Sequence, residues 1–225
     1  SDIVWHTLAI QHHDPSKGPL ILIRNDDSSR GDGGATHIFI HGPQRQSLFV
    51  ASVTAFDVLG LNIVDARIAA SAEGFTFHSF VVLDEKGRPV GDQKPRLDKI
   101  EKVLREHLAH QGKFKPNSNR RTPRLLKQFS VKTEVTISND INNNQTILEV
   151  VAPDRPGLLS IIANIFVDLE IDLLSAKITT LGERVEDIFY IVNQDNQAIR
   201  NQALCETLQR RICEELDHHV QQVVA

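Results

Sequence analysis

The chain has 225 residues, room for two domains of about 100 residues that each bury a core. Its formal net charge of −4 provides no global positive field for nucleic acid or an anionic membrane, and no apolar run reaches the roughly 20 residues of a membrane span. The only cysteines, Cys205 and Cys213, are too few and too close for a disulfide framework or a zinc site, which points to a reducing, cytoplasmic setting.

The chain starts abruptly in "SDIVWHTLAI", contains no methionine and shows no export signal, so it reads as a C-terminal piece of a longer protein whose catalytic part is absent. Residues 1–34 form a lead-in segment with a strand near 19–26, "PLILIRND". A first module over 35–111 follows. It runs from the strand "THIFIH" (36–41) into a helix over 47–59, a strand "NIVDARIAAS" (62–71), a turn at Glu73-Gly74 and a strand "FTFHSFVVL" (75–83). A helix over 95–110 closes it, with Leu97, Ile100, Val103, Leu104 and Leu108 at helical spacing.

Residues 112–129 are polar, carry two prolines and no acid, and read as a basic linker. The second module, 130–225, opens with "SVKTEVTISND" (130–140). That stretch either closes the first sheet or leads into the second, and its Asn139-Asp140 echoes Asn25-Asp26, which favours a lead-in strand. Next come "QTILEVVA" (145–152), the corner "PDRPG", an apolar helix, "DLLSAKITTL" (172–181), a turn at Gly182-Glu183 and "VEDIFYIV" (185–192). A helix over 198–214 and a final strand "HHVQQVVA" complete the order β-α-β-β-α-β.

The two halves repeat each other at an offset of 110: Pro43 falls on Pro153, Arg45 on Arg155, Leu48 on Leu158, Phe56 on Phe166, Ala66 on Ala176 and Ile68 on Ile178. Both halves fit an α+β, ferredoxin-like βαββαβ module, an antiparallel sheet with both helices on one face.

The Asp154-Arg155-Pro156-Gly157-Leu158 corner carries the most chemistry. A proline in the first helical turn sacrifices no hydrogen bond, so Pro156 is expected to fix the helix start. Gly157 and Leu158 then present backbone N–H groups at the positive end of the helix dipole, a seat for a carboxylate. Asp154 either caps those groups or faces an ammonium group.

"VVAPDRPGLLSIIANIFVDLEIDLLSAKITTLGERVEDIFYI" resembles an ACT domain, a small regulatory module, the Asp-Arg-Pro-Gly-Leu-Leu corner being that family's most specific signature. The resemblance implies an amino-acid site at an interface between two modules, lined by the corner and by the residue that opens the second strand. In the second copy these are Asp154, Arg155, Pro156, Gly157, Leu158 and Asp172. In the first they are Pro43, Gln44, Arg45, Ser47, Leu48 and Asn62. The first corner, "GPQRQSLF", lacks the acid, proline and glycine of the second, so the two sites are expected to differ in affinity.

With "IVWHT" and "VKTEVTISND", the tandem pair is similar to the C-terminal end of the family of bifunctional PII uridylyltransferase/uridylyl-removing enzymes. That resemblance implies a non-catalytic, glutamine-sensing unit which acts on the catalytic domains of the parent chain, and through them on the PII signal protein in nitrogen regulation. It implies no cofactor in this region, a Mg2+ requirement in the parent, and ACT–ACT pairing within or between chains. No catalytic or metal-binding constellation is expected here: the pairs His12-His13 and His218-His219 point opposite ways on an extended chain and form no cage.

Two alternatives stand beside this reading. One is the ACT pair of another amino-acid-regulated enzyme. The other is an RNA-binding ferredoxin-like module, which needs outward aromatics such as Phe39 and Phe189 and a basic surface that this acidic chain lacks.

Overall fold

The computed structural model describes residues 10–14, 18–25, 34–43, 46–71, 73–110, 132–181 and 184–222. The basic linker and the Gly182-Glu183 turn lie outside them. The elements in chain order are β1 (Leu20–Asn25), β2 (Thr36–Pro43), α1 (Gln46–Leu59), β3 (Asn62–Ala70), β4 (Phe75–Leu83) and α2 (Lys94–Ala109), then β5 (Glu134–Asp140), β6 (Gln145–Pro153), α3 (Leu158–Asp168), β7 (Asp172–Leu181), β8 (Arg184–Val192) and α4 (Gln202–Gln222).

All eight strands join one antiparallel sheet in the order β1-β2-β4-β3-β7-β8-β6-β5. Alternation in each strand sends one set of side chains to a common core. Ile38, Ile40, Phe80 and Val82 in the first half, and Leu148, Val150, Phe189 and Ile191 in the second, pack there against the helices. Each half holds the same aromatic pair edge to face: Phe56 on Phe80, with centroids 4.9 Å apart, and Phe166 on Phe189 at 5.5 Å. Such pairs add about 0.5–1.5 kcal/mol beyond area burial. The helices contact one another in the order α2-α1-α3-α4, so α1 and α3 meet at the middle.

The halves meet through β3 and β7, where Ala66 faces Ile178, Arg67 faces Lys177 and Ile68 faces Ala176. Arg67 and Lys177 are themselves counterparts in the repeat, so a pseudo-twofold axis passes through their pair and exchanges the neighbouring pairs. The arrangement copies the isologous interface of a homodimer within one chain.

The structure corrects the expected last strand. Residues 218–222 continue α4, and 223–225 lie outside the described residues. The sheet position that a closing strand would take is filled by the lead-in strand of each half: β1 pairs with β2 and β5 with β6. The Asn-Asp echo explains how. Asn25 accepts a hydrogen bond from the Thr36 hydroxyl, whose oxygen accepts the Val90 N–H at 2.9 Å. Asn139 likewise accepts from Thr146 at 2.7 Å, and Thr146 accepts the Ile199 N–H at 2.8 Å. One small network per half thus ties the lead-in strand to the loop before the last helix.

The two aromatics named for RNA stacking are not available. Phe39 is 3% and Phe189 0% exposed, which leaves neither ring free to stack on a base.

Candidate functional site

A cavity of about 490 Å³ opens where α1 and the start of β3 meet the corner before α3. The corner supplies Asp154, Arg155, Pro156, Gly157 and Leu158, with Leu159 behind them. Ile178, Thr180, Val185 and Asp187 line it from β7 and β8, and Val53, Asp57, Leu61, Asn62, Ile63 and Glu85 from the first half.

Asn62 therefore sits with the second corner, not with its own. β3 and β7 run antiparallel side by side, which brings the start of β3 next to the end of β7, where Thr180 Oγ1 donates to the Ile63 carbonyl at 3.4 Å. Asp172, expected at this corner, is not among the lining residues. Ser47 and Leu48 stand at the start of α1, outside this cavity, while Gln44 and Arg45 lie outside the described residues.

The corner itself differs from the expectation in three ways. The helix begins at Leu158, with Gly157 as its N-cap, so Pro156 precedes the helix and rigidifies the turn. Gly157 has φ +80°, a left-handed conformation that L side chains adopt only with strain. Gly157, as the N-cap residue, has no side chain with which to cap the helix. The cap comes from the other half: Asp57 Oδ1 accepts the Gly157 N–H at 3.2 Å, and Oδ2 accepts the Ser160 hydroxyl.

Asp57 is 9% exposed and lies near the end of α1. Gly60 (φ +69°) terminates that helix with its N–H donating to the Asp57 carbonyl, while the Leu61 N–H donates to Phe56. The twofold brings the end of α1 to the start of α3. Of the two backbone donors expected to seat a carboxylate, the Gly157 N–H is taken by the Asp57 carboxylate and the Leu158 N–H donates to the Arg155 carbonyl at 3.4 Å.

Two charged groups at the site are incompletely matched. Asp187, 1% exposed, accepts the Thr179 N–H on Oδ1 at 3.2 Å, whereas its buried Oδ2 has no hydrogen-bond partner among the described residues. Burial, opposed by that hydrogen bond and reinforced by the charge of Asp154, pushes its carboxyl up to about 7. The guanidinium nitrogens of Arg155 are buried without hydrogen-bond partners among the described residues. Burial lowers this group to about 10 against the pull of Asp217, which leaves it charged at neutral pH.

Asp187 escaped the sequence reading, yet "VEDIFYIV" contains its signal. With a period of two, the acid shares the inward phase with Val185, Phe189 and Ile191. Asp57 carries a weaker signal, the single charged side chain of the helix QSLFVASVTAFDVL, near its end.

The first half has no equivalent constellation. Registers place His78 where Asp187 stands, since Ile40 faces His78 as Val150 faces Asp187. His78 is 3% exposed and packs edge-on against Phe49, the counterpart of Leu159, and against Phe80. Val167 replaces Asp57, and Ser47 replaces Gly157. Among the described residues no three His, Cys, Asp or Glu side chains gather in a way that could hold a metal ion, and no helix is long and apolar enough to cross a membrane.

Residues 146–206 match the ACT domain family. The bifunctional uridylyltransferase/uridylyl-removing enzyme of Stutzerimonas stutzeri is 42% identical over 222 residues, 99% of this chain and 25% of that protein. The enzyme of the same name from Azotobacter vinelandii is 44% identical over 216 residues, 96% of this chain and 24% of its own length. Among solved structures, aspartate kinase from Synechocystis superposes with a TM-score of 0.44 at 14% identity, covering 81% of this chain and 27% of that one. The chain spans about a quarter of the length of the curated relatives it matches. It carries an ACT domain and corresponds, nearly end to end, to the C-terminal region of the bifunctional uridylyltransferase/uridylyl-removing enzymes.

Proposed function

We propose that this chain is an allosteric amino-acid sensor, that its ligand is L-glutamine, and that it controls uridylyltransferase and uridylyl-removing activities toward the PII signal protein. One observation carries the ligand class: a cavity between two halves, floored by a glycine corner at a helix start, with Asn62 as an amide and Asp154 and Asp187 as acids on its walls. An amino acid brings an ammonium group to walls on which four acids face a single cation, Arg155, and Asn62 can both donate to and accept from a side-chain amide. Glutamine in particular, and PII as the protein acted upon, are what the family resemblance of the sequence implies and are not read from the walls.

The position between halves also suits regulation. A ligand that bridges α1, β3 and the α3 corner changes the free energy of packing one half on the other, and a coupling of about 1–3 kcal/mol is enough for a useful switch. A sensor of an abundant metabolite works near millimolar affinity, about −4 kcal/mol.

Calorimetric titration with L-glutamine, L-glutamate, L-serine and L-valine tests the reading. Heat from glutamine alone, with one site per chain, is the expected result. Silence with all four removes the amino-acid reading, and a response to another member of the set removes glutamine.

A further inference from the structure

We infer that Asp187, working with Asp154, is the seat of the ligand's α-ammonium group, an assignment that rests on the amino-acid reading above. Asp187 lies in the middle of β8, opposite Val150 of β6, and forms part of the cavity wall. Its Oδ1 is served by the Thr179 N–H, while Oδ2 is buried with no donor from the described residues. In the ionised form, a buried carboxyl oxygen without a donor bears the cost of its lost hydration unrepaid, so Oδ2 calls for a hydrogen-bond donor.

The surrounding charges select the kind of donor. The corner before α3 contributes Asp154 and Arg155, α1 contributes Asp57, and the segment after β4 contributes Glu85. From β7 and from β8's own inward face come Ile178, Thr180 and Val185, all uncharged, as is Val150 on β6. Acids outnumber the one cation, and the Asp57 carboxylate already occupies the Gly157 N–H. An ammonium group brings a positive charge and three donors, enough for two carboxylates. An anionic group gives the ionised Asp187 nothing.

The first half lacks this seat, because His78 holds the equivalent position between Phe49 and Phe80. One ammonium subsite per chain follows. A proton also follows. Asp187 sits near half-protonation at neutral pH, with an acidity of about 7, and an ammonium beside it favours the ionised form. Binding therefore expels the proton that the empty site holds.

The test is calorimetry of the chain with L-glutamine at pH 7 in two buffers of different ionisation enthalpy. About 0.5 proton released per ligand is expected, with affinity rising several-fold from pH 6 to pH 8. Asp187→Asn preserves the acceptor for Thr179. It is expected to weaken glutamine binding at pH 8 by about tenfold or more and to abolish both the proton release and the pH slope. Binding without proton release, or an Asn variant with the parent's affinity and pH profile, overturns the assignment while the amino-acid reading stands. Absence of any amino-acid binding by the unaltered chain overturns both. If the variant fails to fold, the proton count on the unaltered chain decides alone.

Discussion

Asp57→Ala removes a carboxylate that bridges the halves at α3. Two buried donors lose their acceptor, the Gly157 N–H and the Ser160 hydroxyl, and both residues are buried in the folded chain. Loss of an N-cap costs about 0.5–2 kcal/mol, and leaving buried donors unmet costs about 1–3 kcal/mol. Two terms offset part of this: the adjoining cavity admits water to the exposed donors, and the wall loses one of its four acids. A net loss of about 2 kcal/mol results, or roughly 4–8 °C in Tm for a chain of this size. Asp57→Asn retains one acceptor oxygen and is expected to lose about half as much. Urea unfolding followed by circular dichroism measures both, with the slope m unchanged if compactness is preserved. An Ala variant within about 0.3 kcal/mol of the parent refutes the reasoning, because no compensation available at this site erases two buried hydrogen bonds.

Gly157→Ala keeps the cap but places a Cβ at φ +80°, and thermal melting should show a loss of about 1–2 kcal/mol. The repeat puts Glu170 (φ +55°) where Gly60 ends α1, so Glu170→Gly should stabilise the chain by up to about 1 kcal/mol. His78 and Asp187 give opposite pH dependences. Burial lowers His78 to about 3, so the unfolded chain gains its proton first and stability falls as pH drops below about 6.5. Asp187 is raised to about 7, so the folded chain holds its proton longer and stability falls as pH rises from about 4 to 7. Each slope is at most about 1.4 kcal/mol per pH unit. The two oppose each other in the parent, so Asp187→Asn should expose a steeper acid-side loss in pH-dependent urea titrations and gain stability at pH 8, while His78→Gln should flatten the acid side.

Much of this fold was legible because it repeats. The offset that joins Phe56 to Phe166 predicted both central helices, and alternation predicted β3, β4, β7 and β8 nearly to the residue. The last strand was misread for a physical reason. Val220, Val223 and Val224 favour extended structure locally, but which segment takes a sheet edge is a tertiary competition. β5 wins it through the Asn139–Thr146–Ile199 network. The corner was found as a motif, yet its geometry depends on how two halves pack, which no local pattern encodes. Hence Asn62 was assigned to the wrong corner and Asp57 went unnoticed, whereas Asp187 was readable as an acid in the apolar phase of a strand.

The Asp57–Gly157 contact also discriminates among ways of pairing. If two copies of the second half were joined through β7 about the same axis, each α3 would meet Val167 instead of an acid, and both Gly157 N–H groups would be left without a cap. Two copies of the first half would aim Asp57 at Ser47, where no glycine corner offers its amide. Only the unlike pair matches carboxylate to helix start. Covalent linkage gives the halves proximity, and this single acid gives them a reason to choose each other over their own kind.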